Sequence, residues 1–329
     1  MGIEKLKDIL NPVSEELRQL RSHDKHDHWL VQEIRFEEQG YSDATYVLIG
    51  CPQHEGVRRN SGRVGAAEAP DKIREQLYKL QVEEDLSVRV FDAGNVIADF
   101  FDFTDDTDSH EINQTPDALE EIHNRLTKAV SKFLRDGKKV IVLGGGNDIS
   151  YADVRALSAV ERDISALNID AHLDMRNAER ITSGTPYRKL IEDGYLNPRN
   201  LHEFGIRRES NGAFYLNSAY DLGVHIHYLS ELIKEGVAES FQNIIDEIGE
   251  HPFFLGLDMD SIQAADAPGV SACSPNGLSG REVMQIIHYA KPKENLKLFE
   301  ITEVNPKYDI DNRTVKLAAQ LVYGFLFGQ

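Results

Sequence analysis

The sequence has few cysteines, a deficit of positive charge and no long apolar segment. Its 329 residues include only Cys51 and Cys273, too few for a disulfide framework and without the spacing of a zinc site. Two unpaired cysteines favour a reducing, cytoplasmic environment. No run of about 20 apolar residues is present, so no membrane-spanning helix is expected. The first residues form no apolar signal core, so we expect no secretory targeting.

Acidic residues outnumber basic ones by 55 to 36, which gives a formal net charge of −19 at pH 7. Phosphate backbones and anionic lipid surfaces repel such a chain, which argues against nucleic acid and membranes as main partners. Hydrophobic residues make up 41% and charged residues 28% of the sequence. This composition is typical of a globular chain that is long enough to bury a substantial core.

Apolar runs alternate with helical patterns along most of the chain. Such an alternation predicts an α/β protein with three layers (αβα), in which helices cover both faces of a largely parallel sheet. Helical spacing of Leu6, Ile9 and Leu10 predicts that residues 1–45 are an N-terminal helical extension and 46–329 the main domain. An acidic segment, 102–108, is predicted as a surface loop. We predict helices at 70–80 and 117–136, and strands at 45–50, 88–92, 139–143, 165–169, 253–257 and 296–301.

Acidic side chains follow two of these apolar runs. Asp170, His172 and Asp174 are spaced at i, i+2 and i+4, so in an extended segment they point the same way. Asp258 and Asp260 repeat this spacing after a second run. A single Asp-x-Asp is more often a helix cap or a turn. Two clusters directly after buried strands are different, because buried carboxylates must be paired, protonated or bound to metal.

Two more segments end strands in the same way. Residues 144–146 are three glycines that lead to Asn147, and Glu303 follows the last predicted strand. Ligands bind at the carboxyl ends of the strands of parallel sheets, so we expect all four segments in one site. The glycines lack the Lys-Ser/Thr of a phosphate-binding loop and the full dinucleotide fingerprint. We interpret them as a tight turn that passes close to the metal site.

His225 and His227 alternate with apolar neighbours. They could form a pair of metal ligands, but period-two alternation favours a half-buried strand with its polar face outward.

Several motifs, in this order, resemble the arginase–agmatinase–formimidoylglutamase (ureohydrolase) family over most of residues 45–329. They are NSGRVGA (60–66), GGGND (144–148), DAHLD (170–174), DMDS (258–261) and EVNP (303–306). Within the family, RRNSGR (58–63), SGTPY (183–187) and APGVSA (267–272) are most similar to the formimidoylglutamases. The resemblance implies an arginase-like catalytic domain over 46–329 and a trimeric or hexameric homo-oligomer.

The resemblance also implies two Mn²⁺ ions and the residues that bind them. Asp170 and Asp258 would bridge both ions, and oxygen-rich ligation with one imidazole suits Mn²⁺ better than Zn²⁺. The remaining implied ligands are Asn147 and Asp174 for one ion, and His172 and Asp260 for the other.

Asn147 departs from the family pattern, which usually has histidine there. Three alternatives follow. In the first, Asn147 binds a weaker first metal through its carbonyl oxygen. In the second, Asn147 supports the ligands without touching the metal, and a water molecule fills the vacant ligand position. In the third, the site holds one metal, with reduced or no activity. Asp148 could substitute, but extended geometry would turn it the other way.

The function implied is hydrolysis of the formimino C–N bond of N-formimino-L-glutamate, a small amidine, to glutamate and formamide. Asp174 would move a proton to the departing nitrogen, and Glu303 would pair with the cationic amidine nitrogens. The alternatives are a guanidino hydrolase that releases urea and a metal-poor, non-catalytic relative. Further candidates for substrate contacts are Asn60 and, for the substrate carboxylates, Arg207 first, then Arg188, Arg176 and Arg208.

Overall fold

The computed structural model describes residues 3–83, 88–98 and 117–328. Within these ranges, nine strands form one sheet in the order β1-β3-β2-β4-β9-β8-β5-β6-β7, and only the β1–β3 pair is antiparallel. The strands are β1 (Leu10–Asn11), β2 (Tyr46–Gly50), β3 (Val90–Val96), β4 (Lys139–Leu143), β5 (Ser165–Ile169), β6 (Leu201–Ile206), β7 (His225–Tyr228), β8 (Phe253–Asp258) and β9 (Leu296–Thr302).

Helices cover both faces of this sheet. In β4, Ile141 and Leu143 belong to one apolar cluster, whereas Val140 and Val142 belong to the other. Such alternation puts a buried core on each face, which explains why the central strands have continuous apolar sequences. The helices are α1 (Glu15–Arg18), α2 (Glu55–Arg59), α3 (Ala69–Leu77), α4 (Ala118–Arg135), α5 (Ser150–Ser158), α6 (Pro186–Glu192), α7 (Ala213–Leu222), α8 (Leu229–Glu235), α9 (Val237–Ile248), α10 (Gly280–Ala290) and α11 (Arg313–Phe327).

The predicted three-layer αβα architecture is confirmed. Helices α3 and α8–α11 pack on one face of the sheet, and α4–α7 pack on the other. Each predicted strand and helix is present with small shifts at its ends. In helix α4, local residues fix both ends. Asp117 accepts the Leu119 N–H at 3.0 Å at the start of the helix, and Gly137, at φ 74°, follows its end.

Residues 3–45 contain little regular helix. They form short 3-10 turns, the two-residue β1 and the four-residue α1. The predicted helix around Leu6, Ile9 and Leu10 is absent, because β1 pairs with β3 there; Leu6 and Ile9 are buried. Val13 and Leu30 belong to the core that also covers β2, so this region packs on the sheet. The domain boundary at residue 45 stays a prediction.

Segment 102–108 lies outside the described residues. In the part of the chain that the structure describes, no helix is long and apolar enough to cross a membrane.

Candidate metal centre and active site

Four neighbouring strands at the centre of the sheet carry the predicted side chains. Asp170 follows β5, Asp258 ends β8, Glu303 follows β9, and Asn147 comes shortly after β4. These strands are parallel neighbours, so their carboxyl ends meet at one edge. They border a cavity of about 290 Å³, lined by Asn60, Ser61, Gly62, Arg63, Asn147, His172, Asp174, Arg176, Ser183, Asp258, Asp260, Ser271, Ala272 and Glu303.

The carboxylate cluster, which consists of Asp170, His172, Asp174, Asp258 and Asp260, contains two groups of candidate metal ligands. One group is Asp170, His172 and Asp260, and the other is Asp170, Asp174 and Asp258. Within each group the ligand atoms lie within 4.8 Å of one another. Because Asp170 belongs to both groups, the geometry is suited to two adjacent cations that share one carboxylate.

Backbone geometry fixes these side chains at the strand ends. Asp170 Oδ1 accepts the His172 N–H at 2.7 Å, and Asp258 Oδ1 accepts the Asp260 N–H at 2.8 Å. Asp174 and Glu303 have left-handed φ values of 46° and 62°. Non-glycine residues in this region are strained and cluster at functional sites. Both carboxylates line the cavity.

The cluster holds more negative charge than its burial tolerates. Burial, and then neighbouring carboxylates, raise the pKa of Asp258 well above its ordinary value, and Asp174 and Glu303 behave alike. The charge of Asp260 is the largest influence on the pKa of His172 and raises it. Burial lowers this pKa and the hydrogen bond with Asp170 raises it again, so that it reaches about 12. Asp260 Oδ1 is buried without a hydrogen-bond partner among the described residues. Cations would relieve all three effects, and oxygen ligands with one imidazole fit Mn²⁺.

Asn147 does not present its carbonyl oxygen to the cluster. Its Nδ2 donates to Asp174 Oδ2 at 2.6 Å and reaches Asp170 Oδ2 at 3.4 Å. Its Oδ1 accepts from the hydroxyls of Ser150 at 3.1 Å and Thr302 at 2.9 Å. The expectation that Asn147 binds a metal through its oxygen is not met by this amide orientation. The second alternative, a residue that orients ligands from behind, matches the contacts.

Behind Asn147 lies a layer of buried polar side chains that was not predicted. Ser150 also hydrogen-bonds Glu300 Oε1 at 2.6 Å, and both residues are fully buried. Glu300 and Thr302 alternate with apolar residues on β9, so they face the same side as each other. An acidic residue inside a buried strand was the available signal.

The predicted glycine turn is present, and it is tight. A Cβ at Gly145 would lie 1.7 Å from the Gln53 carbonyl oxygen, so only glycine fits there. Asp148 faces away from the cluster, as expected, and it binds His123 Nε2 at 2.7 Å and Gln53 Nε2 at 3.0 Å.

The arginines are distributed differently from the prediction. Arg188 pairs with Glu192 at 2.7 Å along α6, and Arg207 is 3% exposed with its guanidinium bound to the Asn276 carbonyl. Among the described residues, neither arginine lines the cavity, so both are corrected as candidates for substrate contacts. Asn60 lines the cavity and donates to Ser183 Oγ at 3.2 Å.

Two other arginines reach the cavity. Arg63 donates to the Ser271 carbonyl at 3.0 Å, and its guanidinium lies 4.3 Å from the Tyr308 ring centre, so it is held in place. Arg176 is exposed, and in the described ranges no carboxylate pairs with it. Arg176 is therefore the better candidate to meet an anionic group of a ligand. The Arg208 guanidinium instead lies 3.4 Å from the centre of the Tyr228 ring.

Known proteins that are similar to this chain belong to the family that the motifs predicted. The model of the family described as Arginase family matches residues 44–328. Formimidoylglutamase of Rhodococcus jostii (strain RHA1) is 31% identical over 296 residues, which cover 86% of each chain. The crystal structure of Trypanosoma cruzi formiminoglutamase with two Mn²⁺ superposes with a TM-score of 0.80 at 30% identity, covering 92% of this chain and 98% of that one. An Asn-to-His variant of that enzyme, also with Mn²⁺, gives a TM-score of 0.80 at 29% identity, with the same coverage.

The chain belongs to the arginase family. The family predicted from the ordered motifs is thereby confirmed, as is the arginase-like fold. The relatives named above agree with the predicted similarity to formimidoylglutamases.

Proposed function

We propose that this protein hydrolyses N-formimino-L-glutamate to L-glutamate and formamide, with two Mn²⁺ ions bound by the carboxylate cluster. The observation that carries this proposal is the pair of ligand groups that share Asp170 beside a cavity of about 290 Å³. The names of the matched relatives support the formimino substrate.

The residues that would hold the ions follow from the two ligand groups. Asp170, His172 and Asp260 would hold one ion, and Asp170, Asp174 and Asp258 the other. When bound, the ions supply a water molecule that ionises near neutral pH. Asn147 would keep Asp174 and Asp170 in position through its amide nitrogen.

The protein's own groups would handle the substrate. Glu303 lines the cavity and would accept the N–H groups of the substrate amidinium, since a carboxylate matches this planar cation. Water adds its oxygen to the amidine carbon, and the bond from that carbon to the glutamate nitrogen breaks. Asp174 would carry the proton from water to that departing nitrogen. Arg176 would pair with a carboxylate of the substrate.

Location and assembly are parts of the same proposal. Cys51 is buried and Cys273 is exposed, and both are free thiols, which suits a cytoplasmic protein. Helix α7 leaves Phe214 70% and Tyr220 49% exposed, which suits burial between copies of a trimer or hexamer. Light scattering coupled to gel filtration would measure the mass of the assembly.

A substrate panel tests the activity. The Mn²⁺-loaded protein is given formiminoglutamate, arginine, agmatine and guanidinobutyrate, and urea, formamide and glutamate are measured. We expect equal amounts of formamide and glutamate from the first compound, and no urea from the other three. Urea release would instead identify a guanidino hydrolase. Less than about one Mn²⁺ per chain with no turnover would identify a non-catalytic relative.

A further inference from the structure

Three histidines form a second cluster on β6 and β7, at one edge of the sheet. His202 of β6 lies opposite His225 of the edge strand β7, and His227 lies opposite Phe204. Because alternate residues share a face, the three imidazoles project from the same side of the sheet. The His202 ring stacks on His225 at 4.5 Å between centroids and on His227 at 5.7 Å, within 13° of parallel. The strand predicted around His225 is confirmed, but its histidine face is partly covered.

The nitrogens of this histidine cluster (His202, His225 and His227) are poorly satisfied. His202 is 3% exposed, and its Nδ1 and His227 Nε2 are buried with no partner in residues 3–83, 88–98 and 117–328. An unpaired buried polar atom destabilises the fold unless something binds it. His225 Nε2 lies 3.0 Å from the Arg199 carbonyl oxygen, which can only accept, so this nitrogen carries the proton. The other ring nitrogen, Nδ1, is therefore the one left to ligate a metal ion.

Helix α9 brings a carboxylate to the same place. One ligand atom each from His202, His225 and Glu247 lie within 4.8 Å of one another. Glu247 is exposed and lines a cavity of about 200 Å³ together with His227, Glu231, Glu235 and Asn243. Glu247 and His227 thus connect the histidine cluster to an acidic cavity.

Two of the three imidazoles, those of His202 and His227, are held in the form that binds metals. Burial, followed by repulsion from the other histidines, lowers the pKa of His202 to about 3, and burial also lowers the pKa of His227 to about 4. Both rings are neutral at pH 7, and only neutral imidazole can ligate. The Arg199 carbonyl supplies the backbone acceptor that commonly fixes the second nitrogen of a ligating histidine.

We propose that His202, His225 and Glu247 form a second metal site, for a Zn²⁺-type divalent ion, distinct from the carboxylate cluster. Two imidazoles and one carboxylate favour Zn²⁺, whereas the oxygen-rich carboxylate cluster favours Mn²⁺. His227, with its unpartnered Nε2, is the nearest candidate for a fourth ligand. A bound ion would tie α9 to the edge of the sheet and satisfy the buried nitrogens.

Metal counting on the Mn²⁺-loaded enzyme tests this site. The enzyme is kept in excess Mn²⁺ while Zn²⁺ is added, and both metals are measured per chain by mass spectrometry after buffer exchange. We expect one Zn²⁺ per chain bound without loss of Mn²⁺. In His225→Gln and Glu247→Gln, Zn²⁺ affinity should fall at least about tenfold, because each variant removes one ligand. His288→Gln, at an exposed histidine on α10, is the matched control and should bind Zn²⁺ normally.

Cobalt spectroscopy provides an independent readout. Co²⁺ added to the Mn²⁺-loaded enzyme should give the intense visible bands of a four-coordinate ion, and the bands should disappear in both ligand variants. Zn²⁺ that only replaces Mn²⁺, or that binds equally to both ligand variants, would overturn the proposal. If His225→Gln fails to fold, Glu247→Gln decides alone, because Glu247 is exposed and its substitution leaves the core intact.

Discussion

Substitution of Glu303 by glutamine separates substrate binding from metal binding. Glu303 Oε1 accepts the Asn147 backbone N–H at 2.9 Å, and the side chain lines the cavity. Glutamine has the same length and keeps one carbonyl oxygen, so the turn at Asn147 should persist. What the variant loses is the negative charge that we propose faces the amidinium.

The expected magnitude follows from that loss. A hydrogen bond to a charged group contributes about 1.5–3 kcal/mol against about 0.5–1.5 kcal/mol for a neutral one. The glutamine NH₂ would also face the N–H groups of the substrate, which leaves a donor unpaired at about 1–3 kcal/mol. The sum is about 2–4 kcal/mol, or a loss of roughly 30- to 1000-fold in kcat/KM.

The assay measures two quantities on the same preparation. Formamide release gives kcat/KM for formiminoglutamate, and mass spectrometry gives Mn²⁺ per chain. Glu303 belongs to neither ligand group, so the Mn²⁺ content should equal that of the parent protein. Glu239→Gln, at an exposed position of α9, makes the same chemical change away from the cavity and should retain full activity.

Two results would contradict this role of Glu303. A fall in Mn²⁺ content that parallels the loss of activity would make Glu303 a ligand or a structural support of the cluster. Full activity with full metal content would show that the amidinium is held elsewhere.

Four other perturbations have defined outcomes. Asp258→Ala should abolish Mn²⁺ uptake and lower turnover at least about 10³-fold, because metal catalysis contributes several kcal/mol; measurable turnover at normal rate would contradict the site. Arg176→Gln should raise KM for formiminoglutamate roughly 10- to 100-fold with kcat unchanged, as expected for loss of a charged contact, in steady-state kinetics. Arg74→Met should lower the free energy of unfolding in urea by about 3–5 kcal/mol, because it leaves Asp92 buried without its bidentate partner at 2.9 Å. In metal-free protein, His202 should lower the free energy of unfolding as pH drops below 6.5, by at most about 1.4 kcal/mol per unit, while buried carboxylates such as Asp258 act in the opposite sense; the test is therefore the difference in slope between the parent protein and His202→Phe.

The sign of the pH effect follows from which state binds the proton. Burial holds the pKa of folded His202 at about 3, whereas the unfolded residue titrates near 6.5. Between these values the unfolded chain binds a proton that the folded chain does not, so acid favours unfolding. His225, His227 and Glu247 face the same ring, and the carboxylate of Glu247 can only weaken the effect.

The central part of the fold was predictable because its signals are local. Strands β4, β5 and β8 are buried on both faces, so their sequences are continuous apolar runs. The ligand candidates follow these runs at once, and the rule that parallel strands end at one edge brings them together. The order β4-β9-β8-β5 is a tertiary property that no local pattern encodes.

The N-terminal region and the arginines depended on distant contacts. The spacing of Leu6, Ile9 and Leu10 predicted a helix, but pairing of β1 with β3 decided the conformation of this segment. Arg207 follows a strand, as a substrate-binding residue could, yet its guanidinium is taken by the Asn276 carbonyl, 69 residues away in sequence. Sequence gives the charge of an arginine but not the acceptor that it will meet.

Asn147 shows how a buried layer can set the chemistry of a residue that replaces an expected ligand. The Ser150 hydroxyl has one hydrogen but faces two acceptors, Glu300 Oε1 and Asn147 Oδ1. Burial raises the pKa of Glu300 to about 7, against the lowering effect of hydrogen bonds with Asp153 and Ser150, and a protonated Glu300 that donates to Ser150 would leave the serine hydrogen for Asn147. Ionised Glu300 would take that hydrogen, and only Thr302 would then donate to Asn147 Oδ1. The hydrogen bonds that Asn147 Oδ1 receives therefore depend on whether Glu300 or its buried neighbour Asp153 holds a proton.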